Sequence, residues 1–386
     1  SYYVQVVLSK LYSERTHFTV RMVENMAKMK IAVLFGGASS EHEVSLVSAY
    51  SVLTNIPKDK YDVMCIGITK KGHWLCYPGE YEDIRTGEWE NNPDNCTAVI
   101  SPDTVSKGVI LLGADDKCYI RRLDAVFPVL HGRFGEDGTV QGLLELAGIP
   151  YVGCGVLASA VCMDKAVANA LFEANGVPHT RWLAADRWEI ESDLEGVCEG
   201  VEKKLGWPVF VKPANAGSSV GISKVSSRDE LKKAIDLALE NDRKVVFEAF
   251  VDGQEVECAV IGSDPAVATR PGEILAGAEF YTYDDKYKNG VSQTVIPAHL
   301  PEAKLDEVKT YAAMAYTALN CEGLARCDFF VEKGTGRVLI NEINTFPGFT
   351  SISMYPKLME HEGIPVPALI DRLIALALER TEKQHG

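Results

Sequence analysis

The chain has 386 residues, which is enough for about two or three compact units, and 46% of them are hydrophobic. A net charge of -15 argues against nucleic acid or an anionic membrane as the main partner. No segment approaches the roughly 20 apolar residues of a membrane span. The ten cysteines include no CxxC pair, so we expect reduced core cysteines in a cytoplasmic protein.

An alternation of strands and helices is predicted after an N-terminal extension. Residues 1–28 carry scattered charges and no continuous apolar stretch, so we interpret them as an extension of native or cloning origin. Buried strands are predicted at 31–35, 63–68 and 125–130, a pattern typical of an α/β domain with an open parallel sheet. The polar stretch 80–102 is predicted to be a surface insertion.

Polar residues and glycines follow two of these strands. The first strand leads into Gly36, Gly37 and a helix start with Glu41, although helix capping and the helix dipole would explain such a glutamate about half the time. The third strand leads into His131, in the sequence HGRFGEDG. Loops at the carboxyl ends of parallel strands bind ligands in α/β sheets, whereas a lone histidine there is more often structural. Both segments are therefore candidates for a ligand site.

A loop of small residues at 214–221 follows another buried strand. Its backbone N–H groups can approach phosphate oxygens closely, and the hydroxyls of Ser218 and Ser219 add donors. Lys212 precedes this loop and Lys165 lies farther back, so two cations on separate elements could neutralise phosphates. The alternative is a tight hairpin with a glycine at positive φ.

Three oxygen donors belong to a predicted hairpin near the C-terminus. Glu342 and Asn344 follow a short apolar strand and lie two residues apart, so they share a face of that strand. Asp328 would lie on the neighbouring strand if a turn at 333–336 joins the two. This donor set suits a hard cation such as Mg2+, and the alternative is a salt-bridged hairpin without a metal.

These segments together resemble the D-alanine:D-alanine ligases, which are members of the ATP-grasp superfamily. The resemblance is carried by HGRFGEDG at 131–138, Asp328, NEINT at 341–345, PGFTS at 347–351 and Ser353. It extends over nearly everything from Lys30 onward and implies a three-domain ATP-grasp fold. The implied parts are an N-terminal open parallel α/β domain at 29–153, a central subdomain at 154–248 and a C-terminal subdomain at 249–386.

The resemblance also implies roles for individual residues. The implied ATP-binding residues are Lys165, Lys212, Ser218, Ser219, Glu248, Phe250, Val251 and Glu255. The implied ligands of Mg2+ or Mn2+, as two ions, are Asp328, Glu342 and Asn344. The implied substrate-binding residues are His131, Lys286, Ser353 and Met354, and the implied catalytic residues are Glu41, Ser218, Tyr287, Arg326, Gly348 and Ser353.

The polar and aromatic stretch 279–290 is predicted to be a lid loop, which would protect an acyl phosphate from water. Lys286 and Tyr287 match the lysine and tyrosine in the lid of the family that the chain resembles. The vancomycin-resistance D-alanine:D-lactate ligases have a differently built lid with a histidine. The sequence therefore favours an amine as the acceptor.

The implied activity is ATP-dependent ligation of two D-alanines through D-alanyl phosphate, for peptidoglycan precursors, by a homodimer. The alternative is a D-alanine:D-serine ligase of the vancomycin-resistance type, which FPVLHG at 127–132 and CMDK at 162–165 also resemble. An apolar pocket rejects an added hydroxyl by only about 100-fold, so the acceptor stays open. Loss of Arg326, Asp328, Glu342 or Asn344 would have indicated a nucleotide sensor without catalytic activity, but all four are present. A dinucleotide oxidoreductase would need a GxGxxG motif after the first strand, which the sequence lacks.

Overall fold

The computed structural model describes residues 27–113, 117–217, 220–275 and 293–385, and its first part forms a mixed sheet. The strands are β1 (Met29–Gly36), β2 (Tyr61–Ile68), β3 (Trp74–Tyr77), β4 (Cys96–Ile100), β5 (Gly108–Leu112), β6 (Cys118–Arg122) and β7 (Ala125–Pro128). In these residues the seven strands lie in the order β6-β5-β4-β3-β2-β1-β7. The three predicted strands pair in parallel, with β1 between β2 and β7. Antiparallel strands β3 to β6, which were not predicted, extend this sheet.

The prediction that residues 80–102 form a surface insertion is wrong. Helix α1 (His42–Asn55) follows β1, and the polar stretch itself contains helix α2 (Tyr81–Thr86) and strand β4. Trp89 lies between α2 and β4, is fully buried, and has its ring centroid 4.9 Å from that of Phe35. Each of these short elements exposes its charged residues and buries a few apolar ones, so a high polar content did not mean an unpacked loop.

The middle of the chain forms an antiparallel sheet covered by helices. Helices α3 (Thr139–Ala147), α4 (Val156–Met163) and α5 (Lys165–Ala174) lead into it. Its elements are β8 (Trp182–Asp186), α6 (Arg187–Ser192), α7 (Leu194–Leu205), β9 (Val209–Pro213), β10 (Ser223–Val225), α8 (Arg228–Leu239) and β11 (Lys244–Ala249). In the described part of the chain the strand order is β10-β9-β11-β8. Apolar side chains of α6, α7 and α8 pack on this sheet in one buried cluster.

A third sheet contains the predicted metal-site hairpin. Its elements are β12 (Gly253–Ile261), β13 (Val267–Ala268), β14 (Gly272–Leu275), β15 (Gln293–Val295), α9 (Glu302–Ala318), β16 (Leu324–Glu332) and β17 (Val338–Asn344). The order is β15-β14-β12-β16-β17, and β13 pairs with β12. β16 and β17 are antiparallel, as predicted, and the turn between them contains Gly334 and Gly336 at positive φ. The predicted boundary between residues 248 and 249 lies near the end of β11, between the second and third sheets.

The last two helices return to the first domain. Helix α10 (Met354–His361) and helix α11 (Val366–His385) follow β17. Apolar residues of α11 belong to the same buried cluster as residues of β1 and β7: Ile31, Val33, Phe127, Leu369, Ile370, Leu373 and Ile374. The core of the N-terminal domain is thus completed by residues near the C-terminus. Across the described ranges, no helix combines the length and apolar character needed to cross a bilayer.

Candidate active site

A cavity of about 1120 Å3 is lined by residues of the second and third sheets and by residues that follow β1 and β7 of the first. Most of the predicted site residues line it: Glu41, His131, Lys165, Lys212, Glu248, Phe250, Val251, Glu255, Arg326, Asp328, Glu342, Asn344 and Gly348. Four predicted residues, Ser218, Ser219, Lys286 and Tyr287, lie outside the described residues. The cavity therefore brings together candidates that are separated by up to about 300 positions in the sequence.

The candidate metal ligands lie on the hairpin of β16 and β17. Asp328 pairs with Glu342 and Arg326 pairs with Asn344, and all four residues line the cavity. The register shifts between Asp328 and Phe329, so the strands contain a bulge at this point. Bulges change the direction of side chains next to functional sites, and this one was not predicted from the sequence.

The donor chemistry of these residues fits a hard divalent cation. Asp328 and Glu342 supply carboxylate oxygens, and Asn344 supplies an amide that donates to Oδ2 of Asp328 at 2.9 Å. The described residues contain no cluster of three or more His, Cys, Asp or Glu side chains that could hold a metal. The side-chain oxygen of Asn344 adds a third oxygen donor to the two carboxylates. Two carboxylates and an amide oxygen match the preference of Mg2+ and Mn2+ for oxygen ligands.

Arg326 lies between two carboxylates in the cavity wall. Its Nε and Nη2 donate to the two oxygens of Asp328, each at 2.7 Å. Its Nε is also 3.0 Å from Oε2 of Glu257 on β12. Glu257 was not among the predicted residues. The signal for it was the alternation in β12, where Glu255 and Glu257 lie two residues apart and both line the cavity.

The two candidate phosphate-binding lysines approach the cavity from different elements. Nζ of Lys165 donates to the carbonyl of Ala216 at 3.0 Å and lies 3.7 Å from Oε2 of Glu342. Nζ of Lys212 contacts Oε2 of Glu248 at 2.5 Å. Burial alone would lower the pKa of Lys212, but the charge of Glu248 and other nearby carboxylates outweighs it and raises the pKa. Lys212 is therefore a cation at neutral pH.

Aromatic rings and a carboxylate lie together in the part of the cavity lined by the predicted ATP-binding residues Glu248 and Phe250. The ring centroids of Phe210 and Phe250 are 6.2 Å apart, and Nζ of Lys224 lies 3.9 Å from the centroid of Phe250. Oε1 of Glu248 accepts a hydrogen bond of 3.0 Å from the amide of Asn169. Flat apolar faces with a buried acceptor at one edge suit a planar ring that carries an amino group.

The small-residue loop connects two strands that pair as an antiparallel hairpin. β9 pairs with β10, and Gly221 in the connection has φ of +71°. The strand pairing and the positive φ fit the hairpin interpretation. The ligand-binding interpretation is also consistent with this geometry, because Ala216 and Gly217 line the cavity. Asp242 holds one side of the loop by accepting the N–H of Asn215 at 2.8 Å.

Glu41 brings the N-terminal domain to this loop. It lies at the start of α1 and lines the cavity. A methyl group placed on Gly217 would lie 2.9 Å from Oε2 of Glu41. The carboxylate therefore packs against the loop backbone at Gly217.

The side chain of His131 is buried and neutral, and it contacts Ser48 and Phe346 from two other segments of the chain. Burial lowers its pKa to about 4, although the carbonyl of Phe346 opposes this shift. Its Nδ1 lies 3.1 Å from that carbonyl and its Nε2 lies 3.0 Å from Oγ of Ser48. The neutral ring can satisfy both contacts by donating from Nδ1 and accepting the Ser48 hydroxyl hydrogen at Nε2.

Glu136, in the same glycine-rich segment, was also missed by the residue-level predictions. It lines the cavity, and burial together with the charge of Glu41 raises its pKa to about 8. Its carboxyl group accepts the N–H of Gly132 at 2.6 Å and the N–H of Phe346 at 3.3 Å. The signal was its place in HGRFGEDG, but its burial depends on the packing of distant segments.

Ser353 and Met354 do not belong to the cavity lining. Ser353 precedes α10, and its Oγ accepts the N–H of Thr350 at 3.0 Å. Met354 is 3% exposed and lies in the apolar cluster of the first domain. A side chain added to Gly272 would collide with the Met354 thioether, so this methionine is firmly packed. The substrate roles of both residues remain predictions.

Comparisons with known proteins follow the same division of the chain. Residues 30–154 match a family described as D-ala D-ala ligase N-terminus, and residues 171–375 match one described as D-ala D-ala ligase C-terminus. A D-alanine--D-alanine ligase of Acetivibrio thermocellus is 53% identical over 92% of this chain and 96% of its own length. A D-alanine--D-alanine ligase of Caldicellulosiruptor bescii is 49% identical over 94% and 98%.

Solved structures of such enzymes share the fold. The VanG D-Ala:D-Ser ligase from Enterococcus faecalis superposes with a TM-score of 0.83 at 41% identity, covering 91% of this chain and 100% of that one. The D-alanine-D-alanine ligase from Coxiella burnetii gives 0.82 at 34% identity, covering 93% and 97%. With both family regions matched and close relatives spanning nearly the whole chain, this protein belongs to the D-alanine:D-alanine ligase family and has the ATP-grasp fold.

Proposed function

We propose that this chain uses ATP to join two D-alanines into D-alanyl-D-alanine, a precursor of peptidoglycan. The observation that carries the proposal is one cavity that collects cations for phosphates and oxygen donors for a metal. Lys165, Lys212 and Arg326 provide the first, and Asp328 and Glu342 provide the second. Relatives at 49–53% identity that are named D-alanine--D-alanine ligase support the same activity.

In the first step, the γ-phosphoryl group of ATP moves to a carboxylate oxygen of the first D-alanine, giving D-alanyl phosphate and ADP. Lys165 and Lys212 hold the phosphates, and positioning together with charge neutralisation provides most of the catalysis. Glu248 accepts the adenine amino group, the backbone of Phe250 and Val251 contacts the rest of the ring, and Glu255 binds the ribose hydroxyls. The hydroxyls of Ser218 and Ser219 add phosphate contacts.

Asp328, Glu342 and Asn344 are the proposed ligands for Mg2+ or Mn2+, as two ions. When bound there, the divalent cations supply positive charge that offsets the charge on the phosphate oxygens. This assignment uses oxygen donors that all line the cavity next to Lys165.

In the second step, the free amine of the second D-alanine attacks the carbonyl carbon of D-alanyl phosphate. A C–N bond forms, the bond from carbon to the phosphate oxygen breaks, and the nitrogen releases its surplus proton as inorganic phosphate leaves. Arg326 and the N–H of Gly348 stabilise the tetrahedral oxyanion, and losing one such donor typically costs about 100- to 1,000-fold in rate.

The remaining predicted residues hold the substrates and the lid. Glu41 and His131 place the first D-alanine, while Ser353 and Lys286 bind the carboxylate of the second, with Met354 beside it. A hydrogen-bond chain from Glu41 through Ser218 to Tyr287 latches the lid. We further propose that the enzyme works in the cytoplasm as a homodimer.

Ligation of D-serine as the second residue is the competing activity. The 41% identity and TM-score of 0.83 with the VanG D-Ala:D-Ser ligase favour it. The higher identity of 53% with a D-alanine--D-alanine ligase favours D-alanine. An acceptor pocket formed by apolar side chains discriminates weakly against an added hydroxyl, by about 100-fold, so competition between the two amino acids decides the question.

Replacing Glu342 by Gln tests the metal assignment. Phosphate release in the presence of ATP, Mg2+ and D-alanine is expected to fall to background, because the substitution removes one of the two negative charges among the proposed Mg2+ ligands. The thermal midpoint should stay within a few degrees, since Glu342 is partly exposed. Glu240→Gln, at an exposed position after α8, is the control and should leave both quantities unchanged. A Glu342→Gln enzyme with near wild-type turnover would refute the assignment.

A further inference from the structure

We infer that Glu257 makes Asp328 more available to the divalent cation, because it attracts the Arg326 guanidinium that also binds Asp328. This inference rests on the proposed function, because it takes Asp328 to be a metal ligand. Arg326 contacts both carboxylate oxygens of Asp328 and so competes with the cation for them. Glu257 is a positioning residue in this scheme, since it acts through Arg326 and not on the substrate.

The positions of the three side chains follow from strand pairing. Glu257 pairs directly with Asp328 across β12 and β16, and Arg326 precedes Asp328 by two residues, on the same face. Oε2 of Glu257 is 3.0 Å from Nε of Arg326, and the two side chains are only 10% and 13% exposed. The guanidinium therefore lies between two carboxylates in a site that excludes most water.

The contacts of Asp328 create a competition. Arg326 donates to both of its oxygens at 2.7 Å, which is the bidentate geometry of a strong charge-assisted pair. Arginine stays protonated in proteins, so this competitor cannot be removed by a change in pH. A cation that binds Asp328 must share oxygens with the guanidinium or displace it.

A second carboxylate weakens that competition. Nε of Arg326 donates a hydrogen bond to Asp328 at 2.7 Å and forms an ion pair with Oε2 of Glu257 at 3.0 Å, so the guanidinium can move toward Glu257 as Asp328 turns to a metal. Without the negative charge of Glu257, the Arg326 guanidinium would have only Asp328 of these two carboxylates as a partner and would bind it more tightly. The expected consequence is a lower affinity for the divalent cation, with the oxygen ligands themselves unchanged.

Glu257→Gln in the full chain is the first test. Mn2+ is titrated into the protein in the presence of saturating ADP, and the free Mn2+ is measured by electron paramagnetic resonance, so no turnover is required. The Kd for Mn2+ should rise about tenfold, the scale expected for losing one close charge contact in a buried site. Glu273→Gln is the matched control, because Glu273 is a buried glutamate of the same sheet that bonds Gln254 and the backbone N–H of His299. Its Kd should not change.

Repeating the substitution in an Arg326→Met background separates two causes. If Glu257 acts through Arg326, Glu257→Gln should change the Kd by less than about twofold when Arg326 is absent. Arg326→Met alone should bind Mn2+ at least as tightly as wild type, because a competitor is gone. Equal weakening in both backgrounds, or weaker binding by Arg326→Met alone, would overturn the inference, and so would a wild-type Kd in Glu257→Gln.

These results are distinguishable from a failure of the proposed function. A wild-type chain that binds no Mn2+ with ADP contradicts the metal assignment itself. A chain that binds Mn2+ normally but responds to Glu257→Gln no more than to Glu273→Gln contradicts only the role of Glu257. The thermal midpoint of each variant, measured without metal, identifies any variant that is simply unfolded.

Discussion

Glu136 holds its proton more readily than an ordinary glutamate does. Burial and the charge of Glu41 raise its pKa to about 8, and the N–H groups of Gly132 and Phe346 only partly offset this. His131, five residues earlier, is neutral for the opposite reason, since burial lowers its pKa to about 4. A neutral His131, together with a Glu136 that favours its protonated form, reduces the charge buried where the segment after β7 packs against Phe346.

Glu136 should make the protein less stable at alkaline pH. Its pKa is raised from an ordinary value of 4.5 to about 8, so the folded state binds more protons between these values and the free energy of unfolding falls as pH rises through that range. Glu136→Gln keeps the uncharged form, so the variant should gain stability relative to wild type at pH 8.5 but not at pH 5. Urea unfolding at both pH values measures this, and an equal difference at the two would contradict it.

His131 sets the acid side of the same profile. Its pKa falls from 6.5 to about 4 on folding, so its contribution is present above pH 6.5 and is lost as the pH falls toward 4. His131→Asn can keep one hydrogen bond without a titrating ring. Its stability should therefore depend less on pH between 6.5 and 4 than that of wild type, as measured by urea unfolding. A parallel decline in both proteins would exclude His131 as the source.

The proposed phosphate loop between β9 and β10 has a glycine where a side chain would contact Glu41. A Cβ on Gly217 would meet Oε2 of Glu41 at 2.9 Å. Because that oxygen is the movable end of a side chain, Gly217→Ala should displace the Glu41 carboxylate from the loop, and the disturbed loop should raise the KM for ATP about tenfold, while the fold persists. Initial rates at varied ATP measure this effect.

Gly200→Ala is the matched control for this substitution. Gly200 lies within α7, and an added Cβ there would meet nothing within 4 Å. It should stabilise the protein by about 0.5–1 kcal/mol, because alanine favours helix, and leave the KM for ATP unchanged. If Gly217→Ala and Gly200→Ala have the same KM as wild type, close approach of the loop is not required.

Elements with their own local pattern could be predicted from the sequence. The hairpin of β16 and β17 was predicted because each strand is a short apolar run and Gly334 and Gly336 mark the turn. Glu342 and Asn344 were recognised because their spacing of two places them on one face. Strands β3 to β6 were missed, since each exposes much of its surface and its apolar residues match only in the assembled sheet.

Residues whose role depends on distant packing could not be predicted in the same way. Glu257 and Glu136 look like ordinary surface glutamates in the sequence. Glu257 is placed opposite Asp328 only by the pairing of β12 with β16. Glu136 is contacted by the backbone N–H of Phe346 only in the folded chain. The resemblance identified the family because several motifs occur in the family's order along the sequence. The burial of charged groups, in contrast, is a property of the folded chain.

Across the whole molecule, Arg380 joins the last helix to the end of the first domain. This buried arginine of α11 donates to the carbonyls of Gly153 and Tyr151 at 2.6 and 2.8 Å. Its guanidinium also lies 4.1 Å from the Tyr151 ring centroid. The last helix thereby fixes the segment that links the first domain to α4, so packing from the C-terminus supports the cavity indirectly.

Arg380→Met should destabilise the protein strongly. It leaves two inward-facing carbonyls without their donor, and the expected loss in the free energy of unfolding is about 2–4 kcal/mol. Arg372→Met on the same helix is the control, because Arg372 forms an exposed pair with Glu379 and should cost only about 0–1 kcal/mol. Equal urea midpoints for the two variants would show that the buried contacts of Arg380 add nothing.

Identification of the product formed in a mixture of acceptors distinguishes the proposed ligation of two D-alanines from the competing activities. The full chain is incubated with ATP, Mg2+, and equal concentrations of D-alanine, D-serine and D-lactate, and the products are separated by mass. We expect D-alanyl-D-alanine as the dominant product, with one phosphate released for each dipeptide. Dominance of D-alanyl-D-serine would assign the competing activity, and ATP-dependent formation of none of these products would contradict the account.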